Sequence, residues 1–405
     1  MSAGTAAQRD RDAPADVRVL VVSASPDVWG AERSLLGLAP LLGARGIALT
    51  LASPPGRFAE AWTDLGLPHV AMPAPARLGL RTADDGRPGA GALLKELTTT
   101  LGNARRLARL ARQVDAVHSN SLWIHLDCAI AGRLARRPVV LELHDLVRPG
   151  MGRQVLKVAA RLAARTVAIS RAVADTVSLH NGRLRVVPQA VDTERFRPGP
   201  ADQAWRERLS QRPDEPLVGV VGRIDPEKGI ATVVRAMALL DGAASKSGLA
   251  VVGAPGLDDG AHATALRDEA TTLLADRARF VGQVDDVPAV LRSLDVLVNA
   301  STSEPFGLSV LEAQASGVPV IGTDAGGIPE FVTEGETGLL FDPGRSDQLA
   351  AALRRLLETP ALRHDLALAA RENVVAHHTL ESRAAALAGL YRAVAGPVPE
   401  GAARP

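Results

Sequence analysis

The sequence predicts an α/β chain of two doubly wound parallel sheets in tandem, and three observations predict it. At 405 residues the chain exceeds one ordinary core, so two domains of roughly 150 to 200 residues each are expected, with one cleft. Its 46% hydrophobic and only 3% aromatic content supplies the small aliphatic side chains that pack sheets between helices. Short apolar runs alternate with helical stretches through the first half, break at a Pro-rich segment, and then alternate again.

Taken in order, residues 1–16 are small, charged and without period, which reads as a disordered tail. Arg18 to Ser23 is a buried strand and Glu32 to Leu42 a helix by its apolar spacing. Ala48 to Ala52, Ala116 to His118 and Pro138 to Leu143 read as further strands, with helical stretches such as Leu93 to Arg112 between them. Alternation of this kind predicts a parallel sheet covered on both faces. Pro73 to Gly91, rich in Pro, Gly and charge, reads as a mobile loop over the cleft. Pro198, Pro200 and the polar stretch Gln211 to Pro216 mark a boundary. Beyond it, Leu217 to Val221, Leu249 to Val252, Arg279 to Val281, Asp295 to Asn299 and Val318 to Ile321 are short strands, each followed by a helix or a Gly-rich turn. The expected domains are 17–200 and 201–376, with 377–405 as a final helix and tail.

The net charge of +1 hides an asymmetry. Residues 1 to 196 carry 26 Lys+Arg against 17 Asp+Glu, and the remainder 20 against 28. Arg105, Arg106, Arg109 and Arg112 lie on one helical stretch, a face that suits either plain solvation or an anionic lipid surface or acidic acceptor. A single cysteine, Cys128, excludes an internal disulfide and fits a reducing compartment. No apolar run is long enough for a bilayer span or a signal peptide, so the expected location is the cytoplasm, with peripheral attachment to the inner membrane face left open.

Chemistry concentrates in the second half. In Leu294 to Glu312 an apolar strand empties into a polar loop and a helix starts at Gly307, with Glu304 and Glu312 flanking that start. First-turn amides near Gly307, Leu308 and Ser309 lack intrahelical partners and, with the helix dipole, favour an anion. Side chains lean toward the helix start, so Glu312 can accept two hydrogen bonds from a diol such as a ribose. In Gly219 to Gly229, Arg223 leaves a strand end and Lys228 precedes a helix opened by Gly229, a planar fork and a point charge suited to a diphosphate. Only four residues are lysines against 42 arginines, which gives Lys228 added weight. In Thr323 to Glu330, Gly326 and Gly327 allow close backbone approach and Pro329 suits a first helical turn; a plain turn is the alternative.

The E-x7-E spacing around Phe306-Gly307 resembles the donor signature of the retaining GT-B glycosyltransferases, often called family 4, and the resemblance runs from about Arg18 to about Leu357. It implies a GT-B architecture, with the helix Leu380 to Ala395 crossing back to brace the first domain. It implies that Arg223 and Lys228 hold the donor phosphates in place of a divalent cation, so neither metal nor cofactor is expected. The Gly326-Gly327 turn would lie beside the donor, and His144 would approach the transferred sugar. Trp29 stands where relatives often have a first glycine before Gly30, which puts a stacking or phosphate role there, and His118, at the end of a neighbouring strand, is expected with them as an acceptor or phosphate contact, a hydrogen-bonded structural histidine being the alternative. Gln189-Ala190 replaces a common Asn-Gly. His377-His378 reads as helical surface.

The expected activity is transfer of a hexose-type sugar from a nucleoside diphosphate sugar, UDP before GDP, to a sugar, lipid-linked or small-molecule acceptor, with Glu304 bonding the donor sugar's hydroxyls. Nucleic acid is not an expected partner. A nucleotide-sugar epimerase on the same architecture, a secondary-metabolite transferase and a non-catalytic sugar-nucleotide binding protein are the alternatives. No G-x-G-x-x-G follows a strand and no G-x-x-x-x-G-K-[ST] occurs, which argues against dinucleotide oxidoreductases and P-loop hydrolases.

Overall fold

The computed structural model describes residues 17–73, 90–177, 182–256 and 260–396. The tail and most of the loop expected at Pro73 to Gly91 lie outside the described residues; Gly91 itself falls in the helix Ala90–Ala111. Two compact units emerge, one of residues 1–189 with 380–405, the other of residues 190–379. The chain thus leaves the first unit at Gln189, ahead of the boundary drawn from sequence at 200, and returns to it at Leu380, just after the one drawn at 376.

In the first unit, strands β1 (Val17–Val22), β2 (Ile47–Ser53), β3 (His69–Ala71), β4 (Ala116–Ser119), β5 (Val139–Leu143), β6 (Arg165–Ala168) and β7 (Leu184–Val186) pair in parallel in the order β3-β2-β1-β4-β5-β6-β7. Successive residues of β1 feed opposite cores. Val19 and Val21 pack with Leu35, Leu38, Trp62 and Leu387, whereas Leu20 and Val22 pack with Leu107, Val117 and Leu141. Both faces are therefore dry, which is why the strand reads as a continuous apolar run. The helix Leu380–Ala395 belongs to this unit, as expected, and lies on the helix Gly30–Gly43. They approach closely: a Cβ on Gly37 would sit 3.1 Å from Leu380 Cδ1.

The second unit repeats the plan with β8 (Leu217–Val221), β9 (Gly248–Val252), β10 (Ala278–Gly282), β11 (Val296–Asn299), β12 (Val320–Thr323) and β13 (Leu339–Phe341) in the parallel order β10-β9-β8-β11-β12-β13. Val218, Val220, Leu249, Val251, Val296 and Val298 form the core beneath the helices Ile230–Ala238 and Ser346–Glu358. Each sheet reverses its strand order once, between β1 and β4 and between β8 and β11. At such a switch point neighbouring crossovers depart in opposite directions and leave a crevice at the strands' C-terminal ends. Among the described residues no helix is long and apolar enough to cross a membrane.

Leu387 is fully buried against the first sheet. Leu387→Ala should therefore destabilise the protein by about 2 to 5 kcal/mol in urea unfolding. A change below about 0.5 kcal/mol would show that the last helix is only loosely attached.

Candidate active site

Three loops of the second unit are knitted around Glu304 at the β8/β11 switch point. After β8 the chain makes a short turn, Pro226–Lys228, and reaches Gly229 at φ +60°. A Cβ at Gly229 would lie 2.0 Å from the Ala300 carbonyl oxygen, so glycine lets this loop rest on the one after β11. That approach delivers Lys228, whose Nζ is 2.9 Å from Glu304 Oε2. The same oxygen accepts from Ser301 Oγ at 2.9 Å and Asn299 Nδ2 at 3.3 Å. The loop after β12 closes the other side. Gly327 donates its amide to the Glu304 carbonyl at 2.9 Å, and at Gly326, φ +63°, a Cβ would meet that carbonyl oxygen at 2.1 Å.

The helix Leu308–Ala315 starts from Gly307 at φ +104°, and Val310 and Leu311 donate to the Gly307 carbonyl. The amides of Leu308 and Ser309 have no intrahelical acceptor in the first turn. Glu312, one turn further on, is buried. Arg223 follows β8 with its guanidinium 3.0 Å from Asp225 and its side chain 46% exposed. His378 corrects the sequence reading. It is buried, its ring set edge-on to Phe306 and Phe331, which stack beneath the loop; only His377 is at the surface.

In the first unit His144 comes immediately after β5, the strand beside β4 of the β1/β4 switch point. Its Nε2 is 2.9 Å from Asn120 Oδ1 and its Nδ1 3.4 Å from Gln189 Nε2. Behind it lies Glu142, buried within β5, with His118 Nε2 and His144 Nε2 at 3.0 and 3.9 Å from its Oε2 and Arg383 bonded to its Oε1. Burial alone would raise the Glu142 carboxyl, but Arg383 and the two histidines outweigh it and hold it far below the ordinary carboxylate range. Burial lowers His144, against the pull of Glu142.

His118 is thus not an acceptor or phosphate contact as expected. It is wholly buried, bound by Tyr391 on one side and facing Glu142 on the other. Trp29 is half exposed, and Gly30 is the first residue of its helix. Below them Ser23 donates to buried Glu32 at 3.0 Å, and burial raises that carboxyl. Sequence reasoning missed Glu142, Arg383, Tyr391, Asn120, Asn299 and Ser301. One signal was available: an acid inside the apolar run Val139 to Leu143 must find a buried partner.

Two doubly wound parallel units, the second with a charged pair and a helix start at its switch point, define a GT-B glycosyltransferase. Residues 201–373 match the family model of glycosyl transferases group 1, and residues 28–195 that of glycosyltransferase family 4. The chain belongs to this glycosyltransferase family. A D-inositol 3-phosphate glycosyltransferase of Acidothermus cellulolyticus is 33% identical over 306 residues, covering 69% of this chain and 67% of that protein. The sulfoquinovosyl transferase of Arabidopsis thaliana is 32% identical over 293 residues, 66% of this chain and 55% of that one. The matched region thus spans about half to two thirds of the length of these curated relatives. The Anabaena HepE protein, solved with UDP and glucose, shares the fold with a TM-score of 0.77 at 23% identity, covering 92% of this chain and 99% of that one.

Glu142→Gln leaves Arg383 buried beside a neutral partner and should cost about 3 to 5 kcal/mol at pH 7. Because the folded carboxyl is depressed, this contribution is fully present above the unfolded value of about 4.3 and fades as pH falls below it. Urea unfolding at about pH 7 and about pH 3 checks this: the gap between wild type and variant should narrow at the lower pH.

Proposed function

We propose that this glycosyltransferase moves a hexose-type sugar from a nucleoside diphosphate sugar, UDP in preference to GDP, to an acceptor hydroxyl with retention of configuration. The observation that carries the reading is the Lys228–Glu304 pair bridging the loops after β8 and β11, beside the start of the helix Leu308–Ala315. A diphosphate placed there receives Lys228, Arg223 and the first-turn amides, which together stabilise the charge that builds as the nucleotide departs. Glu312 holds the ribose, and Glu304 accepts from hydroxyls of the donor sugar while its other bonds keep it in place. Cationic side chains take the part a metal ion plays elsewhere, so turnover needs no divalent cation. His144 meets the transferred sugar, and the leaving phosphate oxygen helps to take the acceptor's proton on the same face. The basic first half suits an acidic or lipid-linked acceptor in cell-surface polysaccharide or glycolipid synthesis at the inner face of the membrane.

The HepE protein, which shares the fold, has also been solved with UDP alone and with UDP-glucose, which supports testing UDP first. UDP at about 100 times its Kd should stabilise the protein by about 2.7 kcal/mol in a thermal-shift titration. Lys228→Ala and Arg223→Ala should each lower kcat by about 10² to 10³ with little change in unfolding. Wild-type turnover in both variants, or strict dependence on Mg²⁺ after EDTA treatment, would remove the diphosphate reading.

A further inference from the structure

The two ring nitrogens of His144 are held by amides, Asn120 at Nε2 and Gln189 at Nδ1. An amide can present a donor or an acceptor, so these contacts alone admit either tautomer. The Glu142 carboxylate, 3.9 Å from Nε2, breaks the tie by favouring a proton there over a lone pair. That carboxylate is set by the helix Leu380–Ala395. Arg383 donates Nη2 to Glu142 Oε1 and Nη1 to the carbonyls of Val187, at 2.7 Å, and Pro188, directly ahead of Gln189. One guanidinium therefore reaches His144 from both sides, through Glu142 and through the segment carrying Gln189. Tyr391 completes the set. Its hydroxyl is 3.0 Å from His118 Nδ1, and donation there commits the His118 proton to Nε2, facing Glu142.

We infer that Arg383 and Tyr391 are positioning residues for His144, fixing its Nε2–H tautomer so that Nδ1 is the acceptor offered to a substrate hydroxyl. The inference rests on the role proposed above for His144. Nδ1 is the more loosely held nitrogen, at 3.4 Å from Gln189 against 2.9 Å for Nε2 from Asn120, so a substrate hydroxyl displaces the amide there. The last helix then takes part in sugar recognition as well as bracing the sheet.

Ring ¹⁵N spectra of the full-length, histidine-labelled protein read the tautomer directly, with His144 assigned by its loss in His144→Gln. Wild type should show Nε2–H. Glu142→Gln/Arg383→Met removes both charges together, which avoids a lone buried ion, and should move His144 to a mixture or to Nδ1–H. Arg383→Lys should restore part of the wild-type pattern. Release of UDP from UDP-glucose should fall by about 10-fold to 10²-fold in kcat in the double variant, with KM within about twofold. An unchanged His144 tautomer in the double variant overturns the inference. Wild-type turnover in His144→Gln instead removes the role of His144 itself, and the two failures are thereby told apart. If the double variant does not unfold cooperatively, Tyr391→Phe serves: the His118 and His144 patterns should both change, and an unchanged His144 pattern overturns the inference.

Discussion

Every strand pairing among the described residues is parallel, and the placement of the chemistry depends on that constraint. Parallel strands cannot be joined by tight hairpins, so each crossover returns over a face of the sheet and every strand releases its following loop at the same edge. Where the strand order reverses, the loops of two non-consecutive strands become neighbours. In the second unit those loops bring Lys228 to Glu304, 76 residues apart in sequence. In the first unit the loops after the adjacent strands β4 and β5, next to the reversal, bring Asn120 to His144.

What was legible in the sequence was local. The strands β1, β2, β4, β5 and β8 to β12 announce themselves as apolar runs, and the segments around Lys228, Glu304 and Gly326 each carry their chemistry within a short stretch of chain. The three-residue strands β3, β7 and β13 give too little pattern to separate strand from loop, and in β6 (Arg165–Ala168) Arg165 and Thr166 leave no apolar run to read. The buried network of the first unit was illegible for a different reason. Arg383 and Glu142 are 241 residues apart, and Tyr391 and His118 are 273 apart. Neither helix periodicity nor strand alternation records such pairings, which exist only because the last helix rejoins the first sheet.

Arginine and lysine divide the work along physical lines. Arg371 spreads its fork over the carbonyls of Phe196, Ala315 and Thr193, and Arg206 spans Ser293, Pro213 and Glu215 together with Asp295. A planar group with five donors suits such fixed, many-partner clamps. Lysine is rare in this chain, and Lys228 is a point charge on a flexible stem, with its side chain 27% exposed. It can turn from a carboxylate to a phosphate with little cost in geometry.

The same distinction separates the two carboxylates on which the units are built. Glu142 is sealed among Arg383, His118 and His144, where replacing Arg383 leaves a charge in a dry interior, so it serves as a fixed reference for its neighbours. Glu304 is also buried, yet one of its three donors is the partly exposed Lys228 while Ser301 comes from its own loop and Asn299 from the end of the strand before it. If Lys228 swings to an incoming anion, Glu304 keeps two hydrogen bonds and gains capacity for a sugar hydroxyl. A carboxylate that can lose one partner without being stranded is what a binding site requires, and a carboxylate that cannot is what a scaffold requires.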